Sequence, residues 1–166
     1  MPHFKDQIVE PSPKRVRVIV SGKTVADSLA PLLLIEGGQH VSYYFPMEDV
    51  RADYLEGTNR HVEKPFGEAL CYTLNIGGRK REGAAWRCDE PSDWARRLGG
   101  HVAFDPGKVD HWFEEDEEVL GHPRNPYHRI DVRRSTREVR VRFNGEVIAN
   151  THRGLFLFET GLPTRY

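Results

Sequence analysis

The chain has 166 residues, 38% hydrophobic and 30% charged, enough for one full domain and part of a second around a modest core. Its formal net charge of −1 argues against a dominant attraction to nucleic acid or anionic lipid, so neither is expected as a partner. No apolar run approaches the ~20 residues of a membrane span, and residues 1–13 lack the apolar stretch of a secretion signal. With only Cys71 and Cys88 able to form a disulfide, a reduced, cytoplasmic protein is expected.

Residues 1–14 read as a partly ordered arm, because Pro2, Pro11 and Pro13 limit regular structure. Residues 15–113 read as a complete β domain. Val16, Val18 and Val20 alternate with Arg15, Arg17 and Ile19, which is strand periodicity, and Ser21-Gly22 is a two-residue turn into a second strand over 23–28. Leu32, Leu33, Leu34 and Ile35 form a third strand, ended by Glu36 and Gly37-Gly38. A fourth spans 41–45 and stops at Pro46.

The acidic residues of segment 46–55 sit in what would be a first helical turn, so a short helix is expected there. Strands resume at 69–76 and 84–88, joined by a Gly77-Gly78 turn. Residues 91–97 predict a helical turn, and two short strands follow at 101–104 and 109–113. Many short strands, close turns and one small helix read as mainly β, a barrel or sandwich. Residues 114–134 read as a linker, acidic from Glu114 to Glu118 and then rich in His and Arg.

Residues 135–166 repeat the start of the domain. Val16, Val18 and Gly22 recur as Val139, Val141 and Gly145. Val25, Ala26, Leu32 and Leu34 recur as Ile148, Ala149, Leu155 and Leu157, and Glu36, Gly38 and Tyr43 as Glu159, Gly161 and Tyr166. Every pair lies at an offset of 123 positions, which follows from these residue numbers. Asn144-Gly145 is a strong hairpin-turn signal and supports the weaker one at Ser21-Gly22. A half-repeat cannot bury its own apolar face, so Leu155, Phe156, Leu157 and Phe158 are expected to pack on the first copy or on another chain. Exchange of residues 135–166 between chains would give a homodimer.

With the repeat in view, the chain resembles the bacterial and fungal domain-of-unknown-function family 427, also labelled NTP-transferase-9. The resembling stretches are Val16-Arg17-Val18, Tyr43-Tyr44-Phe45-Pro46, Ala85-Trp86, Val102-Ala103-Phe104, the decapeptide HPRNPYHRID at 122–131, and FETGLPTRY at 158–166. The resemblance implies a mainly β fold of the β-tent type, similar to the Mss4-like folds, often in tandem copies; here a complete copy precedes a second that reaches Tyr166. Zinc-binding relatives of this fold use paired Cys-x-x-Cys knuckles, which this sequence lacks.

The decapeptide concentrates chemistry. Arg124 and Arg129 are forks suited to carboxylate or phosphate, His122 and His128 can exchange protons near neutral pH, and Asp131 is placed in sequence to orient one of them. The competing structural reading has these groups pairing with the acidic run to fix a linker. His122, His128 and Asp131, with His152 or His111, match no metal-binding spacing, so no metal site is expected, and no cofactor can be named.

Glu36 and Glu159 end equivalent strands, and Asp49 opens the expected helix beside Tyr43-Tyr44-Phe45. If the strand ends converge, these carboxylates with Tyr44, Trp86 and Arg165 would line a mouth for a small molecule. Paired carboxylates able to hold magnesium, which nucleotidyl transfer needs, are not evident. The expectation is a small-molecule-binding protein with an anionic ligand. The alternatives are an enzyme using His122 or His128, or an interaction module.

Overall fold

The computed structural model describes residues 7–37, 40–128 and 130–166, and it is mainly β. The chain divides into two compact units, Met1–Pro123 and Arg124–Tyr166. The first unit contains β1 (Gln7–Pro11), β2 (Val16–Val20), β3 (Lys23–Ser28), β4 (Leu32–Glu36), β5 (His40–Tyr44), β6 (Leu55–Lys64), β7 (Gly67–Ile76), β8 (Arg79–Arg87), β9 (Val102–Phe104), β10 (His111–Glu114) and β11 (Glu117–Glu118). They form three antiparallel sheets ordered β1-β4-β5, β11-β10-β2-β3 and β6-β7-β8-β9. None of these sheets closes on itself among the described residues, so the architecture is open sheets rather than a barrel. Phe45 and Val102 exchange backbone hydrogen bonds of 2.8 Å in each direction and join β5 to β9.

The continuous apolar run of β4 follows from burial on both faces. Leu33 and Ile35 join one core with Val16, Val18, Val20, Val25, Tyr43 and Phe45. Leu32 and Leu34 join a second, with Tyr44, Phe66, Ala69 and Cys88. The strand period of two thus splits neighbouring residues between two cores. Cys71 and Cys88 are free thiols, both buried.

Three expectations change. The segment read as an arm carries β1, which pairs with β4 from Gln7↔Glu36 to Pro11↔Leu32. The helix expected over 46–55 is two 3-10 turns, Met47–Asp49 and Ala52–Tyr54. Between them Val50 is extended and 7% exposed, it bridges Ala26, and the Arg51 amide donates to Val25 O at 2.9 Å. Burying Val50 against β3 outweighs continuing the helix. Strand β6 has no period-two apolar pattern, being an exposed edge strand held by pairing with β7, and its sequence therefore did not announce it.

The second unit contains β12 (Ile130–Ser135), β13 (Val139–Phe143), β14 (Glu146–Thr151) and β15 (Gly154–Glu159). Its pairing repeats the first unit's residue for residue. Val16↔Ser28 becomes Val139↔Thr151, and the register shift at Val18/Ile19 recurs at Val141/Arg142. The β1–β4 register recurs as Ile130↔Glu159 through Arg134↔Leu155, so the repeat extends back to residues 7 and 130 and takes in part of the segment expected as a linker. The turns match too: Ser21 and Gly22 have φ of 50° and 71°, Asn144 and Gly145 of 46° and 84°. Positive φ at both central residues is the type I′ requirement.

The environments differ sharply. Val18, Val20 and Val25 are 0–1% exposed, whereas Val141, Phe143 and Ile148 are 46%, 66% and 64% exposed. Leu155 and Phe158 are exposed as well, while Phe156 is buried, its ring edge-on to Tyr166 at 4.8 Å and covered by the Arg137 guanidinium.

Candidate functional site

Alternation along β5 sends Ser42 and Tyr44 to the face opposite Tyr43 and Phe45. There Tyr44 meets Trp86 of β8, whose indole Nε1–H donates to the Tyr44 hydroxyl at 3.2 Å. The Phe66 ring stands edge-on to Tyr44 at 5.9 Å. Lys64, the last residue of β6, places its ammonium 3.8 Å from the Trp86 ring centroid, a cation–π contact. Burial holds the Lys64 ammonium below its ordinary lysine value, and the nearby Glu36 carboxylate opposes that shift. Burial also pushes the Tyr44 hydroxyl well above the usual tyrosine range, with Glu36 adding to the effect, so it stays a neutral donor and acceptor. Glu36 Oε1 is buried and has no hydrogen-bond partner among the described residues.

The structure therefore brings Glu36, Tyr44 and Trp86 together and adds Lys64. No sequence signal marked Lys64, because the polar edge strand β6 hides which of its charges turns inward. Asp49 is engaged elsewhere: its carboxylate accepts from the buried Ser28 hydroxyl at 2.6 Å, and Ser28 Oγ accepts from the Ala30 amide at 3.1 Å. That pair closes the turn after β3. His122 is exposed, with Nδ1 3.0 Å from the Pro123 carbonyl oxygen.

In the second unit Asn125 makes a local turn, accepting from the Tyr127 amide through Oδ1 and from the His128 amide through its carbonyl. His128 Nε2 lies 3.1 Å from Glu159 Oε1, and Arg165 donates to Glu159 Oε2 at 2.9 Å. The return of the chain explains this meeting. Gly161 has φ of 77°, the Leu162 amide donates to Glu159 O, and Arg165 pairs with Leu157, two residues before Glu159 on the same face. A histidine anchored through Nε2 to a carboxylate can exchange a proton through Nδ1. Asp131, on β12, accepts from Arg133 at 3.3 Å, and Arg124 is exposed. Arg129 lies outside the described residues.

A protein-family model labelled NTP_transf_9 and described as a domain of unknown function (DUF427) matches residues 8–115 and 131–166. The chain belongs to the DUF427 family. The two matched segments fall on the two copies that the strand registers define, so this DUF427 chain carries one complete copy and a second that reaches the counterpart of Tyr43. No curated protein matches the chain. The DUF427 label's reference to nucleotidyl transfer gains little from the acidic groups: Asp27 is held by Arg15 Nε at 2.8 Å and NH2 at 2.6 Å, and its repeat counterpart is Asn150. No helix among the described residues of this DUF427 chain is long and apolar enough to cross a membrane.

Proposed function

We propose that this protein binds a small anionic molecule that also carries a hydrogen-bond donor, on the face formed by Glu36, Lys64, Tyr44 and Trp86, in a reduced cytoplasmic setting. One observation carries the reading: a buried carboxylate oxygen on Glu36 with no partner among the described residues, beside an ammonium held on an indole. A buried acceptor without a partner costs about 1–3 kcal/mol, and a ligand N–H or O–H would recover it. Lys64 would take the ligand's anionic group, and Trp86 and Tyr44 would supply the flat apolar wall. We read the surrounding sheets as a β-tent of the Mss4-like kind, supported by the Phe45–Val102 bridge between two antiparallel sheets that share the second core. The free, buried thiols Cys71 and Cys88 support the reduced compartment.

Native mass spectrometry of gently purified protein, compared with its denatured mass, tests the proposal. The expected result is a reproducible added mass that disappears in Lys64→Met and Glu36→Leu. The same added mass on both variants would overturn it.

Acid–base catalysis is a second reading, favoured by the Glu159 carboxylate between His128 and Arg165. His128→Ala should then abolish turnover while leaving ligand affinity within about threefold. Undiminished turnover would dismiss this reading. A third reading, a homodimer through residues 135–166, is favoured by the exposure of Val141, Phe143 and Ile148. The occupant would be the same hairpin face of a second chain, because an isologous contact is self-complementary.

A further inference from the structure

The second unit carries nine arginines, no lysine and four acidic residues, a formal +5, whereas residues 1–123 carry −6. Three of those four acids already have cationic partners: Asp131 takes Arg133, Glu138 takes Arg140, and Glu159 takes Arg165. Arg134 and Arg153 have no carboxylate partner among the described residues. Both line one open cleft of about 470 Å³ with Ser135, Thr136, His152 and Gly154.

The repeat shows that the charge of this cleft is not a by-product of the fold. At the offset of 123, its residues correspond to Pro11, Ser12, Pro13, Leu29, Ala30 and Pro31, an uncharged set. In the first copy Ser12 and Pro31 are buried, and the Ser12 amide donates to Pro31 O at 2.9 Å. The same backbone register thus carries an uncharged corner in one copy and a basic, open one in the other.

The polar groups are also prearranged. His152 Nδ1 lies 3.2 Å from Thr136 O; a carbonyl only accepts, so Nδ1 carries a proton and the ring bridges the two walls. Ser135 Oγ accepts from the Arg137 amide at 3.1 Å, which leaves its hydroxyl proton for another acceptor. Thr151 Oγ1 accepts from the Arg153 amide at 3.1 Å and fixes the turn that carries Arg153.

We propose that the Arg134–Arg153 cleft of the second unit is a binding site for the phosphate or pyrophosphate group of a small molecule. Two guanidinium forks offer the planar, paired donors that phosphate oxygens accept, and Ser135 and Thr136 add hydroxyl donors. The site lies wholly within the second unit and does not depend on the ligand face of Glu36 and Lys64.

The test is isothermal titration of the full chain with inorganic pyrophosphate and with phosphate, at one fixed ionic strength, for the wild type, Arg134→Gln, Arg153→Gln and Arg142→Gln. Arg142 serves as the control because it removes the same charge from the neighbouring strand β13, outside the cleft. Saturable one-to-one binding, weakened about tenfold or more by Arg134→Gln and by Arg153→Gln but within about twofold of wild type in Arg142→Gln, is expected. Equal weakening by all three variants would mean diffuse charge and would overturn the site, as would the absence of saturable binding to either anion. Binding of a ten-residue oligothymidylate without binding of pyrophosphate would overturn the small-molecule assignment in favour of a nucleic-acid backbone. Loss of the Lys64 ligand with retention of pyrophosphate binding would leave this site standing, so the two proposals fail separately.

Discussion

Val18→Asp is expected to prevent the first unit from folding, while Val141→Asp, the same substitution 123 residues later, should change stability by about 0.5–1 kcal/mol. The two valines occupy matching register positions opposite Ala26 and Ala149. Val18 is wholly buried among Val16, Val20, Leu33 and Phe45, whereas Val141 is 46% exposed. Burying an unpaired carboxylate costs many kcal/mol, or forces it to take up a proton, against a domain stability of about 5–15 kcal/mol. Urea denaturation followed by circular dichroism measures both effects. The same pair bears on the homodimer: if the exposed hairpin face is covered by its twin, Val141→Asp should convert a dimer to a monomer on size-exclusion chromatography with light scattering. An unchanged dimer would discard that reading.

Phe45→Ala is expected to cost about 3–5 kcal/mol, the usual range for deleting a buried aromatic ring. Phe45 is fully buried and sits where two sheets meet, its backbone bonded to Val102 and its ring 5.6 Å from Phe104 and 5.9 Å from Trp112. The denaturant midpoint should fall without a change in slope, and amide exchange at Val102 should accelerate as the bridge loosens. A loss below about 1.5 kcal/mol would mean that the surrounding residues close the cavity and that the bridge does not depend on the ring.

Short-range patterns made much of this fold legible. Period-two alternation marked β2, the unbroken apolar run marked β4, and Gly-containing dipeptides marked the turns at Gly22, Gly77 and Gly145. The patterns failed where long-range pairing decided the outcome. β1 is a strand because β4 lies beside it, β6 is a polar edge held by β7, and Val50 breaks its helix because Ala26 offers a bridge. The candidate sites divide the same way. Glu36, Tyr44, Trp86, Glu159 and Arg165 stood out by position and residue type, but Lys64 was invisible until β6 ended against the Trp86 ring. Arg134 and Arg153 carried a signal that the repeat made available: at the fixed offset they stand where the first copy has Pro11 and Ala30.

By itself the sequence determined the strand class, the hairpin turns and an internal duplication with a constant offset, because these rest on local backbone preferences and on identity between residues of one chain. Only the tertiary structure decided which copy buries its apolar face. Val18 and Val141 follow the same Val-Arg pair and face an alanine across the hairpin, but Ile19 follows one and Arg142 the other, and only Val18 is covered by distant strands. Burial is a property of what packs against a residue, and that information lies far away along the chain.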